Sequence, residues 1–243
     1  MTLAIHLYRR MMRKGRVIAL LALSSVPALT YWLTAFDATG REHSLLYSEI
    51  IATVGFSYAI AVLILTVATL REERDAGTLP YIYMRPIPRP TMAFSSLAAG
   101  IAASLTLGIG GWVASLLAVL AVGGEVSVAA AGIVQFAAAG VGYAAVFVPL
   151  GYLVPRAILV GLGYIVVVES ILAAVVTGLA QLSIWRIALS IFADITPAWD
   201  PEGAGAMLGP VTPGVGGGLV KLGAVLVLGL AVLTWALRRR DAL

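Results

Sequence analysis

Residues 92–122 read MAFSSLAAGIAASLTLGIGGWVASLLAVLAV, 31 residues without one formal charge. About 20 apolar residues in a helix are enough to cross a hydrocarbon core of about 30 Å. The run therefore predicts a membrane-crossing helix, long enough to tilt or to project past the bilayer. Composition extends this reading to the rest of the chain. The 243 residues are 60% hydrophobic and 12% charged, against about 25% charged in soluble domains.

Five further apolar runs flank this one, at 17–36, 50–70, 126–154, 157–182 and 218–237. Together they predict an all-α, polytopic membrane protein with six transmembrane helices. No stretch between them is long enough to build a separate core, so residues 1–243 read as one transmembrane domain. Turn signals fall between the runs, at Gly123-Gly124-Glu125 and Val154-Pro155-Arg156. The basic run before residue 17 resembles the start of a signal peptide. Its apolar partner lacks a small-residue exit, so the segment reads as a retained helix.

Charge sets the expected orientation. With six spans and the N-terminus inside, thirteen of the sixteen Lys and Arg residues fall in inner segments and three outside. That bias predicts both termini in the cytoplasm of a prokaryotic cell with the chain in its plasma membrane. It also accounts for the net charge of +4 and the pI of about 9.6 without a nucleic-acid partner. The chain has no cysteine, and His6 and His43 form no ligand pattern. Disulfides and thiolate metal sites are thereby excluded, and no metal or cofactor is expected in the chain itself.

Two segments outside the runs carry helical periodicity. In residues 1–16, Leu3, Leu7 and Met11 recur every four positions among Arg9, Arg10, Arg13 and Lys14. This predicts an amphipathic interfacial helix on the inner leaflet, its basic side chains among lipid head groups. In residues 183–217, Trp185, Ala188, Phe192 and Ile195 share one face. They predict a short helix at the outer interface, anchored by Trp185 and followed by a Pro- and Gly-rich loop.

Residues 71–90, REERDAGTLPYIYMRPIPRP, hold seven of the 28 charged residues between two apolar runs. Residues 71–79 favour a helix that Gly77 can end and Pro80 cannot continue. Pro86, Pro88 and Pro90 stiffen the return to the next span. The plain alternative is a solvated loop, but a loop that only kept its charges in water would not need stiff prolines.

This loop resembles the first cytoplasmic loop of ABC-2-type permeases, the membrane subunits of certain ABC exporters. The family pattern is a Glu, a short spacer, Gly-Thr-Leu, then an Arg-Pro-hydrophobic-x-Arg run. Glu72 or Glu73, Gly77, Thr78, Leu79, Arg85, Pro86, Ile87 and Arg89 match it. The start, GRVIALLALSSVPAL, and YIVVVESILAAVVTGLAQLSIWR also look like the family, although Val168 stands where a tryptophan is common. The resemblance implies a coupling helix after span two that docks on a separate ATPase subunit. Glu72, Glu73, Arg74, Asp75, Gly77, Thr78, Leu79, Arg85 and Arg89 are its expected contacts. It further implies a pair of ATPase subunits that bind ATP and Mg, and a second permease subunit, identical or similar.

The other candidates lie within the runs. Glu169 is an ionisable residue deep in a span, where a carboxylate costs about 2.5–3.5 kcal/mol. It must be protonated or paired, and reads either as a polar point or gate in a substrate path or, preferably, as one side of an interhelical hydrogen bond to a Ser, Tyr or Gln on a neighbouring span. Gln135 reads as a second intramembrane polar group. Ser96, Gly100, Ser104 and Gly108 form a small-residue ladder that lets two helices approach. There is no G-x-x-x-x-G-K-[ST], so ATP cannot be bound by a P-loop of this chain. No hydrolase constellation is present either. The leading expectation is thus a transport permease. The alternatives are a secondary transporter and an intramembrane lipid-acting enzyme using Glu169.

Overall fold

The computed structural model describes residues 2–75, 77, 88–172, 181–196 and 213–239, and every regular element among them is helical. The helices are α1 (Thr2–Met11), α2 (Lys14–Ser24), α3 (Val26–Thr34), α4 (Arg41–Val54) and α5 (Phe56–Asp75). After the charged loop come α6 (Arg89–Ala121), α7 (Val126–Leu153) and α8 (Ala157–Gly163). A π-helical segment (Tyr164–Leu172) continues α8, followed by α9 (Ile184–Ile195) and α10 (Gly214–Arg239).

By length and composition, α6, α7 and α10 can each cross a membrane, and counting the bent pairs α2–α3 and α4–α5 as one span each gives five. The run at 157–182, expected as the fifth of six spans, is a shorter apolar helix that passes into the π-helical segment; residues 173–180 lie outside the described ones.

The two bends have local causes. The α2–α3 bend of 43° falls at Ser25. There the hydroxyls of Ser24 and Ser25 donate back to the Leu21 carbonyl at 2.9 and 2.8 Å, and Pro27 supplies no N–H. The α4–α5 bend of 41° falls at Gly55. It leaves the Ala52 carbonyl to accept from the Trp185 indole N–H at 3.1 Å. A Cβ on Gly55 would lie 2.4 Å from that indole ring, so the bend and the seat of Trp185 are one feature.

Helix α7 runs through the middle of the bundle, packed by α5, α6, α9 and α10. Its Phe136, Tyr143 and Phe147 are among the largest fully buried side chains. The ladder of Ser96, Gly100, Ser104 and Gly108 is buried on α6. Ser104 Oγ donates to the Gly140 carbonyl of α7 at 2.9 Å, and its own carbonyl accepts from Tyr58 Oη at 2.7 Å. Inside α7, Pro149 cannot bond the Ala145 carbonyl. Gly229 of α10 approaches that freed oxygen so closely that a Cβ there would lie 2.2 Å away.

Two placements differ from the sequence reading. Helix α1 ends at Met11, and residues 14–16 already belong to α2. Leu7 and Met11 are buried, with Met11 Sδ accepting from Thr69 Oγ1 at 3.1 Å and Tyr8 Oη 3.1 Å from Thr106 Oγ1. The apolar face of α1 thus packs on α5 and α6. Helix α9, expected at the outer interface with Trp185 as its anchor, is mostly buried from Ile184 to Phe192, Trp185 included. Its Ile184 lies against Gly142 of α7 and its Ile191 against Gly218 of α10. Of its polar residues, Ser190 is buried, Arg186 is half-buried and Asp194 is exposed. Ser190 Oγ returns to its own helix at the Ile187 carbonyl, and Asp194 accepts from the Val215 amide at 2.8 Å.

At the opposite end of α7, Glu125 takes hydrogen bonds from Ser127 and from Ser44 of α4 at 2.7 and 2.9 Å. These two bonds, Ser127 first, hold its carboxyl below the ordinary value.

Gly151 of α7 sets the approach of α5, since a Cβ there would lie 2.4 Å from the Val67 carbonyl oxygen and 2.8 Å from its Cα. Backbone cannot rotate away, so Gly151→Ala is expected to lower stability by about 1–3 kcal/mol. Gly163→Ala meets nothing within 4 Å and is expected to be neutral or slightly stabilising. Thermal unfolding of the two variants in detergent measures the difference. Equal melting would mean that α5 and α7 are not held together at this point.

Candidate functional site

Helix α5 continues beyond its last buried apolar residue, Leu70, into the charged Arg71–Asp75. Gly77 follows with φ 66°, the left-handed conformation that suits glycine after a helix end. Near this end Glu72 faces the N-terminal helices. Arg16 of α2 pairs with Glu72 Oε1, and Arg10 Nε of α1 lies 3.5 Å from Oε2. Arg10 Nη2 also donates to the Glu72 carbonyl at 3.2 Å. All three side chains are about two-thirds covered, so solvent and salt screen them less than a fully exposed pair. The joint ties the root of the charged loop to both α1 and α2.

Among the other loop candidates, Arg89 opens α6 as a half-buried residue. Thr78, Leu79 and Arg85 lie outside the described residues, as do the side chains of Glu73, Arg74 and Asp75. Sequence reasoning named Glu72 but not Arg10 and Arg16 as its partners. The usable signal was charge complementarity between two segments assigned to the same side of the membrane.

A second polar centre is buried. Glu169 is carried by the π-helical segment and is 9% exposed. Its Oε2 accepts from the hydroxyl of Tyr143 on α7, and its Oε1 accepts from the Ile184 amide at 3.1 Å. The Tyr164 side chain and the Trp185 backbone are also within interaction range. Ile184 and Trp185 begin α9, whose first amides have no partner within the helix. Glu169 serves those amides together with Ser183, whose Oγ accepts from the Arg186 amide at 3.2 Å. A carboxylate suits that position, because the start of a helix carries positive partial charge.

The aromatic surroundings fix the ring of Tyr143. It stacks on Phe147 with centroids 5.5 Å apart, and Tyr164 meets Phe147 edge-on at 6.1 Å. No group of three metal-ligating side chains occurs among the described residues. With phenol and amide donors around it, Glu169 forms a clasp between α7, the π-helical segment and α9. Gln135 sits apart from this clasp by its bonding. It is 1% exposed, and neither amide atom has a partner among the described residues.

Replacing Glu169 by Gln keeps an acceptor for Ile184 and is expected to preserve folding and most transport. Glu169→Leu strands the Ile184 amide and the Tyr143 hydroxyl in apolar surroundings, at about 1–3 kcal/mol for each unpaired group. Melting temperature and transport of the two variants test this. A Gln variant that assembles normally but does not transport would give Glu169 a proton- or substrate-handling role instead.

Comparison with known proteins bears on the whole arrangement. The model of a family described as ABC-2 family transporter protein matches residues 10–180, from α1 past the π-helical segment. A search of curated proteins finds no match. The family match spans more than half of the chain and agrees with its several long apolar helices, so this multi-pass membrane protein belongs to the ABC-2 transporter family and is a permease-type component of transport.

Proposed function

We propose that the chain is the membrane-spanning permease subunit of an ATP-driven ABC exporter. Two permease subunits, identical or similar, form the pathway, and a pair of separate ATPase subunits binds ATP and Mg. The chain crosses the plasma membrane of a prokaryote six times, with both termini and the 71–90 loop in the cytoplasm. The run at 157–182 supplies the fifth of these spans.

The observation that carries this reading is the joint at Glu72. A partner pressing on the loop pushes on α5 directly, and on α1 and α2 through Arg10 and Arg16. Displacement at the loop is thereby shared by the first two spans instead of being absorbed by a flexible connection. The absence of a P-loop from the sequence and the asymmetry of Lys and Arg both support it.

The decisive experiment pairs co-purification of the ATPase subunit with ATPase turnover and transport. Glu72→Lys with Glu73→Lys is expected to weaken docking, since like charges across an interface cost several kcal/mol. The same change sets a cation against Arg10 and Arg16. Pro86→Gly with Pro88→Gly is expected to retain docking while ATP is hydrolysed with little transport. Unchanged docking and transport in the double-Lys protein would reduce the loop to a solvated connection. Cysteines introduced at Ala76 and Ala204 are expected to label from opposite sides, and same-side labelling would rule out the six-span topology.

A further inference from the structure

Helix α10 is the least covered of the long helices. Only 17% of its most apolar stretch is buried, against 44% in α6 and 67% in α7. Leu228, Val232 and Trp235 are exposed, at 64%, 41% and 52%. With Arg239 they recur at helical spacing of four, three and four residues, so all four lie on one stripe of the helix. From Leu228 to Arg239 the stripe rises about 16 Å, close to half of a hydrocarbon core of about 30 Å. The Arg239 guanidinium lies over the Trp235 ring at 5.1 Å, and the neighbouring Arg238 is exposed as well.

We infer that this stripe is a binding site for an anionic phospholipid. An acyl chain lies along Leu228 and Val232, Trp235 sits at the glycerol level, and Arg239 with Arg238 takes the head-group phosphate. Each part has a physical reason. Trp prefers the membrane interface, where one side of its ring system is apolar and the other wet. The ring holds the guanidinium from one face, which leaves its edge N–H donors for paired bonds to phosphate oxygens. Two adjacent cations favour a net negative head group over a zwitterionic one, whose own cation they repel.

The competing occupant of so apolar a face is a second copy of the chain. A two-fold axis normal to the membrane brings equal depths together, so an α10–α10 interface would set Arg238 and Arg239 beside their own copies. That repulsion is absent when the occupant is an anionic lipid. Leu3 of α1 packs against the cluster that includes Leu233, Ala236 and Leu237. The exposed Arg9 and Arg13 therefore add positive charge at the same end of the bundle.

The test uses the full chain in nanodiscs of phosphatidylcholine. Increasing fractions of acyl-brominated phosphatidylglycerol or acyl-brominated phosphatidylcholine are included. Bromine quenches a tryptophan it touches, and the Trp235 signal is the difference between wild type and Trp235→Phe. We expect half-quenching by the anionic lipid at a fraction roughly fivefold or more below that of the zwitterionic lipid, about one arginine's contribution. The preference is expected to shrink in Arg238→Gln with Arg239→Gln and at raised salt. The wild-type comparison stands even where the double variant fails to fold. Equal quenching by the two lipids would overturn the proposal. Absence of quenching by either would overturn it in favour of a protein-covered face.

Discussion

A carboxylate placed where water does not reach must find its donors within the protein. Glu169 finds them in three directions: a phenol on α7, the opening amides of α9, and Tyr164 on its own segment. The setting of α9 depends on this satisfaction. Its first turn would otherwise leave amides bare inside the bundle, at a cost of a few kcal/mol. The bend at Gly55 makes the matching adjustment from the other side, since it offers the Ala52 carbonyl to the indole of Trp185. Residues at 52, 143, 169 and 184–185 thus answer one requirement, that the polar groups around the start of α9, backbone and side chain, find partners inside the bundle.

Much of the helix inventory was legible because membranes simplify the code. The charge-free run at 92–122 became a 33-residue helix, and Gly123-Gly124-Glu125 marked its end. The small residues of α6 that the sequence offered as a packing ladder are each buried. What escaped the sequence was the environment of amphipathic elements. In α9 the periodicity suggested a helix lying at the interface, yet most of it, including Ser190, is buried against α7 and α10. Periodicity reports that two faces differ but does not say what each one meets. The breaks at Ser25 and Gly55 were hidden for another reason. Ser-Ser-Val-Pro and Thr-Val-Gly are tolerated inside long apolar runs, and only the neighbouring packing decides whether they bend.

The Glu72 joint belongs to a third kind of problem. Its partners are 62 and 56 residues away in sequence, and each arginine taken alone looks like one more basic residue near a membrane surface. Pairing became visible only when α1 packed its Leu7 and Met11 against α5 and α6. The apolar face of α1 brings Arg10 to Glu72, and burial of the joint then strengthens what would be a weak pair in open water.

The clasp at Glu169 also constrains biosynthesis. Tyr143 leaves the ribosome 26 residues before Glu169, and Ile184 follows 15 residues after it. At about 5–20 residues per second, the carboxylate waits on the order of a second for its amide donors while the phenol is already made. A chain inserting in order therefore meets the tyrosine first and completes the clasp only when α9 folds back against α7. Helix α10, which packs on α9, is synthesised after all of these groups. N-to-C synthesis thereby supplies every donor of the polar centre before α10, the apolar helix that packs on α9.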